Sequence, residues 1–343
     1  MSSDNKDLPL VSVVIPCYNH QDYVQQTIQS VIDQDYINIE LIIIDDGSSD
    51  SSVIKIREMI SLCEKRFKRF EFRNRPNKGL CATLNEALEW CEGEFFSAIA
   101  SDDILLPLKT KRQVELFLNP KNHNIAAITG ETISINANGK RNTRSSFVPP
   151  KERYYTFLDI YRGNSQINAP TAMIRMHCVK EAEGYNTDVI VEDFYMWLAI
   201  TKLGYQILAV DDIYAQYRIH NSNTFSKIQL MHESTKKIRK IFMPNEYEYI
   251  AAIKYSNLRM FKAASVYEKR YALNLLLSGK VNIFSKDILF YIVVLLLPRS
   301  LFMFLLKVYR DSKIKIGSLY KSNYFGLHIF NKMLKRDIHN GQF

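Results

Sequence analysis

Apolar positions along the first 120 residues switch repeatedly between two periodicities. Val11-Ser12-Val13-Val14-Ile15-Pro16 is a short, β-branched and nearly continuous apolar run, the pattern of a strand buried on both faces of a parallel sheet. Residues 21–34 then place Val24, Ile28, Val31 and Ile32 on one helical stripe. Ile39-Glu40-Leu41-Ile42-Ile43-Ile44 reads as a second buried strand, followed by Asp45-Asp46-Gly47-Ser48-Ser49-Asp50, a cluster of turn and helix-capping residues. The alternation continues with a helix over about 51–65, a strand at 70–72, a helix over 80–91 and a strand at 94–100. Ser101-Asp102-Asp103 reads as the cap of a further helix running to about 118. Such an order predicts an α/β fold with a parallel sheet and helices on both faces. Ligands of these sheets sit at the carboxyl ends of the strands, here Pro16–Asn19, Asp45–Ser48 and Ser101–Asp103.

From 124 the pattern is less regular. Short strands are expected at 124–135, 169–175 and 205–218, with a helix from Glu192 to Leu203 and Gly204 as its C-cap. Residues 121–226 therefore predict a mixed α+β half, and 227–343 a mostly helical region. Within that region Ile288 to Leu297 is ten consecutive apolar residues and Leu301 to Leu306 six more, separated by Pro298-Arg299-Ser300. Ten residues are too few to cross a bilayer, which takes about 20, and the whole of 288–306 is broken at its centre. The favoured reading is a broken or paired helix lying in the membrane interface, flanked by Lys286, Lys307, Arg310, Lys313 and Lys315. A pair of buried core helices and a true span are the alternatives.

A chain of 343 residues has room for two domains at about 150 residues each, and 12 Gly and 10 Pro without a low-complexity run exclude a collagenous or mainly disordered chain. The five cysteines (17, 63, 81, 91 and 178) are odd in number and lack C-x-x-C spacing, which argues against a disulfide scaffold or a zinc ribbon. The N-terminus has no basic segment followed by an apolar run, so a cytoplasmic location is expected. Charge is divided unevenly. Residues 1–226 carry 24 Lys and Arg against 29 Asp and Glu, while residues 227–343 carry 21 against 7, a net +14. A basic back end predicts a polyanionic surface as partner. The apolar run beside it favours anionic lipid over nucleic acid.

Four segments then carry a resemblance: Val11 to Asn19, Ile44-Asp45-Asp46-Gly47-Ser48-Ser49-Asp50, Asn77-Lys78-Gly79, and Ser101-Asp102-Asp103-Ile104-Leu105-Leu106-Pro107. In this order and spacing they resemble glycosyltransferase family 2, over roughly residues 8–225. The resemblance implies a GT-A-type, Rossmann-like nucleotide-sugar-binding sheet, a divalent metal and inversion at the anomeric carbon. It divides a catalytic domain of 1–226 into a nucleotide half at about 8–120 and an acceptor half at 121–226. Many members read Asp-x-Asp-Asp at the fourth segment, where this chain has Ala100, Ser101, Asp102 and Asp103.

The residues also have chemistry of their own. Pro16 lacks an N–H and would stop the ladder, leaving Tyr18 and Asn19 free to meet a base or ribose. Asp45 and Asp46 can accept from a uracil N3–H or a ribose hydroxyl, or simply cap the next helix. Gly79 lets the backbone beside Asn77 approach a ligand, and Arg75 and Lys78 could meet phosphate. A departing diphosphate gathers negative charge, which Mg²⁺ or Mn²⁺ neutralises while held by one or two carboxylates. By resemblance Asp102 is that metal ligand, with Asp103 as its neighbour and Ser101 at the nucleotide. Glu192-Asp193 followed by Trp197-Leu198 resembles the family's Glu-Asp-x-x-x-Trp-Leu, which assigns Asp193 as the base for the acceptor hydroxyl. Tyr217-Arg218-Ile219-His220 resembles its Tyr-Arg-x-His, which implies His220 at the metal or diphosphate and Arg218 at phosphate. The other six histidines show no ligand spacing. A nucleotide-dependent oxidoreductase is excluded, because Pro-Cys-Tyr-Asn-His follows Ile15 where G-x-G-x-x-G is required.

The expected function is transfer of a hexose from a UDP-sugar to a saccharide acceptor. By resemblance, the acceptor is carried on undecaprenyl diphosphate in O-antigen or capsule synthesis, at the inner face of the cell membrane. The alternative is a catalytically inactive nucleotide-sugar-binding relative acting as a membrane-associated interaction protein. Which sugar, which linkage and which oligomeric state are left open by the sequence.

Overall fold

The computed structural model describes residues 8–141, 152–220, 227–281, 286–298 and 300–301. The apolar runs form β1 (Val11–Cys17) and β2 (Ile39–Asp45), and every residue of β2 is buried, which requires cover on both faces. Between and after them come α1 (Val24–Ile32), α2 (Ser52–Arg57), α3 (Ile60–Arg66), β3 (Phe70–Asn74), α4 (Leu80–Trp90) and β4 (Phe95–Ala98). These strands pair in parallel in the order β3-β2-β1-β4. The expected α/β alternation is present, except that the helix expected over 51–65 is divided in two.

Two sequence expectations are corrected here. Pro16 does not end its strand. On the β2 side the ladder runs through Pro16↔Ile44 to Cys17↔Asp45, and only the β4 side stops, at Val14↔Ala98. Alternate residues of a strand face opposite neighbours, so a missing donor weakens one ladder and spares the other. Nor does Ser101-Asp102-Asp103 cap a helix. Ile104–Leu105 is a short strand, β5, paired with residues 215–216, and the next helix, α5, begins at Lys109. Tertiary pairing overrides a local signal that turns and caps share.

The sheet then changes character. After β6 (Ile125–Asn136), β7 (Arg153–Tyr155), α6 (Phe157–Arg162), β8 (Met173–Arg175), α7 (Met176–Glu181), α8 (Glu192–Lys202) and β9 (Gln206–Ile219), the strand order reads β3-β2-β1-β4-β8-β6-β9-β5, with β7 also on β9. The β4–β8, β6–β8, β5–β9 and β7–β9 pairs are antiparallel. One mixed sheet thus runs through both of the halves expected at 8–120 and 121–226, parallel in the order β3-β2-β1-β4 and antiparallel beyond. Gly204, just past α8, has φ +99°, the left-handed conformation of a helix stop. All five cysteines are free and buried. Burial pushes the thiols of Cys17, Cys63, Cys81 and Cys91 up to about 12 and that of Cys178 to about 11.

Two compact units divide the chain at the end of β9, the second holding the helices beyond it together with Tyr161–Gly163. The boundary expected at 226 falls outside the described residues. In the second unit α9 (Ile228–Ile241), α10 (Glu246–Tyr267), α11 (Lys269–Leu277) and α12 (Lys286–Leu296) share a core that includes Ile228, Phe261, Tyr271 and Leu275. Helix α12 contributes Ile288 and Leu295 to this core, yet Leu289, Phe290, Val293 and Leu296 are exposed. Among the described residues no helix is long and apolar enough to cross a membrane. Residues 302–306, Lys307, Arg310, Lys313 and Lys315 lie outside the described residues.

One cation sits at the centre of the first unit. Lys109 is fully buried, its Nζ donating to Ser97 Oγ at 2.7 Å and the Ala172 carbonyl at 3.3 Å. Both are neutral oxygens, and burial pushes the ammonium down to about 7. Between about pH 7 and the ordinary lysine value of 10.5 the unfolded chain binds a proton that the folded chain lacks, so this group makes stability rise with pH across that window. Lys109→Met should remove the dependence. In denaturant unfolding at pH 7 and pH 9.5, the variant should gain about 1 kcal/mol or more over the wild type at the lower pH, and less at the higher.

Candidate active site

Register places three loops side by side. Cys17 lies opposite Asp45, and Asp45 opposite Asn74, so the chain leaves β1, β2 and β3 at one level. The loops are then stitched together. Asp45, wholly buried, accepts from the Ser48 N–H and the Asn74 amide at 2.9 Å and from Ser48 Oγ at 2.6 Å. Asp46 accepts from the backbone N–H groups of Lys78 at 2.8 Å and Gly79 at 2.9 Å, and from the Arg75 guanidinium. Asn19, at φ +53°, donates its N–H to Ser48 Oγ and accepts from the Ser49 N–H, both at 2.8 Å. Gly47, at φ +75°, is where the loops approach most closely: a Cβ there would lie 2.6 Å from the Asn77 nitrogen.

Several expected site residues thus have partners inside the protein. Asp45 staples its own turn to β3 and is wholly buried. Arg75 is held by Asp46 and by Glu86 at 2.7 Å. A turn this rich in backbone polar groups needs acceptors inside the protein, and the carboxylates supply them. Asp46 has three donors for about four lone-pair positions. Tyr18 is half-exposed, and Asn77 and Lys78 are exposed beside it in the loops.

The loop after β4 brings the metal candidates. Ser101, Asp102, Asp103 and His220 are buried. His20, Asp102 and His220 each offer a ligand atom within 4.8 Å of the others. Donors on one ion at about 2.1 Å can lie about 4 Å apart, so small side-chain adjustments suffice for these three to share one. Two imidazoles and one carboxylate are a fit donor set for a divalent transition ion. Asp103 is not in the cluster. Its Oδ1 accepts from the Arg218 N–H at 2.8 Å and its carbonyl from Thr27 Oγ1 at 2.7 Å, so it braces the loop. His20 was missed in the sequence, because ligands 82 and 200 positions away leave no local spacing to read.

Arg218, expected at phosphate, is engaged inside the protein. Its side chain is 1% exposed. The guanidinium donates to the carbonyls of Asp102 at 2.7 Å and Ala137 at 3.1 Å and to Gln26 Oε1 at 2.8 Å, and lies 4.8 Å over the Tyr23 ring. It holds the Asp102 backbone in place. Next to it, burial and then the charges of Asp103, Asp102 and Asp193 push the Tyr217 phenol well above its ordinary value. One side chain thus feels both the metal-site carboxylate and the carboxylate at the start of α8.

Glu192 and Asp193 open α8, where acidic groups also suit the helix dipole. Enclosure raises both carboxyls. Glu192 is raised further by the Asp193 charge, while Asp193 is drawn back by the Phe194 N–H, which it accepts at 2.6 Å. The two carboxyls therefore titrate as an interacting pair, both held above the ordinary carboxylate range.

A family model described as glycosyl transferase family 2 matches residues 12–181. Over 193 residues the chain is 31% identical to WfgD of Escherichia coli, a UDP-Glc:alpha-D-GlcNAc-diphosphoundecaprenol beta-1,3-glucosyltransferase, covering 56% of this chain and 70% of that one. It is 28% identical over 256 residues to an uncharacterized glycosyltransferase of Haemophilus influenzae, covering 72% and 76%. In two further relatives, from Rickettsia bellii and Haemophilus influenzae, the matched stretch spans only 39% and 45% of the relative's own length. Among solved structures, the mannosyltransferase PcManGT of Pyrobaculum calidifontis in complex with GDP-Man and Mn²⁺ shares the fold, with TM-score 0.56 and 15% identity over 84% of this chain and 86% of that one.

Arg218→Ala should leave several buried carbonyls without donors and lower the unfolding free energy by about 3 kcal/mol. Arg218→Lys should recover only part of this, because one ammonium cannot replace a planar fork. Urea unfolding of both variants checks it, and a lysine variant as stable as the wild type would exclude the fork geometry as the cause.

Proposed function

The chain belongs to glycosyltransferase family 2 and has the GT-A fold, and from that premise we propose an inverting, metal-assisted transfer of a hexose from a UDP-sugar to a lipid-linked saccharide. The observation that carries this reading is the cluster of His20, Asp102 and His220, whose ligand atoms all lie within 4.8 Å of one another and whose chemistry suits a divalent ion.

The chemistry follows from those residues. Asp193, ionised, takes the proton of the acceptor hydroxyl as its oxygen attacks the anomeric carbon, and its raised pKa makes it the stronger base. Glu192 stays protonated beside it and adds no second base. One base without a carboxylate nucleophile suits a single displacement, hence inversion. His20, Asp102 and His220 would hold the ion, which supplies charge neutralisation at the departing diphosphate. Uridine diphosphate is supported by the UDP-Glc donor named for the Escherichia coli relative and by Asp46, with acceptor capacity for a uracil N3–H.

The acceptor reading rests on the same relative, whose named acceptor is a diphosphoundecaprenol-linked sugar, and on the back of the chain. Residues 227–343 carry a net +14, and α11 and α12 expose Leu273, Leu277, Leu289, Phe290, Val293 and Leu296. Such a surface suits adsorption to an anionic membrane face, where O-antigen or capsule intermediates would be met.

Purified protein would be assayed with UDP-, GDP-, dTDP- and CMP-sugars in Mn²⁺, Mg²⁺ or EDTA, and the product anomer read by NMR. Metal-dependent transfer from one UDP-sugar with inversion is expected. Asp193→Asn should lower kcat by about 10²- to 10⁴-fold, while Glu192→Gln, which mimics the protonated acid, should stay within a few-fold at pH 7. The wild-type rate should rise with pH through a limb above the usual carboxylate range, as Asp193 loses its proton. Near-normal turnover by Asp193→Asn would remove it as the base.

In flotation with phosphatidylglycerol vesicles the protein should bind at low salt and release at high salt. Leu289→Asp with Leu296→Asp should weaken that binding. Failure to float at low salt would exclude the membrane reading.

A further inference from the structure

His20 belongs to no motif that carries the family resemblance, yet it lies with Asp102 and His220 in one ligand cluster. Its surroundings fix it from two sides. The backbone N–H donates to Ser52 Oγ at 2.9 Å, and Ser52 Oγ is in turn bonded to Asp50. The ring Nδ1 lies 2.7 Å from Ser101 Oγ, on the residue next to Asp102. A serine hydroxyl accepts readily from Nδ1–H, and that tautomer puts the lone pair on Nε2. This is the usual arrangement of a metal-binding imidazole, whose second nitrogen is oriented by a polar neighbour.

Two positions before Asp102 a carboxylate of the family pattern is missing. Position 100, where many relatives have the first aspartate, is an exposed alanine. With Asp103 committed to the Arg218 N–H, the cluster has one carboxylate and two imidazoles. Mg²⁺ takes oxygen ligands and parts from water reluctantly, whereas imidazole favours first-row transition ions.

We propose that His20 is a metal ligand that stands in for the absent aspartate and makes the site selective for Mn²⁺, Co²⁺ and their like over Mg²⁺. The inference rests on the metal-assisted reading above, and its test is a binding measurement that needs no turnover. Mn²⁺ would be titrated into the full-length protein with and without UDP, free ion being read by its EPR signal, with Mg²⁺ as competitor. Co²⁺ would be followed by its visible absorption. Wild-type protein should bind Mn²⁺ at least about 10-fold more tightly than Mg²⁺, with affinity rising from Mn²⁺ to Co²⁺.

His20→Ala should weaken Mn²⁺ and Co²⁺ by more than about 10-fold, leave Mg²⁺ nearly unchanged, and alter the Co²⁺ spectrum. Ser101→Ala, which keeps the imidazole and removes only its orienting partner, should weaken Mn²⁺ by about 10-fold. Adding Ala100→Asp to His20→Ala should restore ion binding with Mg²⁺ now competing effectively. Circular dichroism confirms that each variant is folded. If the folded His20→Ala protein binds Mn²⁺ as the wild type does, with the same Mg²⁺ competition, His20 is not a ligand and this inference falls while the metal-assisted reading stands. If the wild type binds no divalent ion even with UDP, both fall.

Discussion

Pairing of Cys17 with Asp45 and of Asp45 with Asn74 sets the level at which three loops leave the sheet. Everything chemical in the first unit depends on that register. A shift of one residue would turn every side chain of these strands to the opposite face, and would take Asp45 away from Ser48 and Asn74. The β1–β2 ladder is apolar up to Asp45 except for the buried Ser12–Glu40 pair, and the polar turns lie where the backbone bonds stop. Asp45, Asp46 and Asn19 then act as cross-braces. Each satisfies backbone groups of a loop other than its own, or of its own turn, and the loops form one rigid rim.

The rim is organised by charges that face inward. Arg218 reaches from β9 to the Asp102 carbonyl and so fixes the carboxylate through its backbone. Asp103 receives the Arg218 N–H in return. Such a brace costs desolvation of a guanidinium and is compensated by well-placed acceptors and a ring face. The result is preorganisation: Asp102 and His20 are held before any ligand arrives, by groups that never touch it. At the start of α8 the opposite device operates. Two neighbouring carboxyls are both raised by burial, Glu192 further by the charge of Asp193, so that each leans toward its protonated form.

Much of this was legible in the sequence. The strands at 11–17 and 39–45 announce themselves because continuous β-branched runs bounded by turn residues have few other uses. Asp102 and His220 were singled out through the order of motifs, a property of the whole domain, and they lie together in one cluster. What escaped has a common cause. The Ser101–Asp103 cluster reads as a helix cap because capping and turn formation use the same side chains, and the deciding partners, Gln216 and Ala215 on β9, are over a hundred positions away. The burial of Arg218 was not legible, because an arginine beside a motif gives no sign of how deeply it lies. His20 was invisible because its two neighbours in the cluster come from other strand ends. The apolar run at 288 was neither wholly core nor wholly surface, since one edge of α12 is buried and the other is not.

Five free cysteines, all buried and all resistant to losing their protons, lie in different layers of the first unit: Cys17 at the rim, Cys63 under α3, Cys81 and Cys91 at either end of α4, Cys178 in α7. A thiol reagent reaches such a group only when its layer opens, because the reactive thiolate does not form while the layer is closed. The chain therefore carries its own set of opening clocks. The alkylation rate of each sulfur reports how often that part of the molecule breathes, without any label having to be introduced.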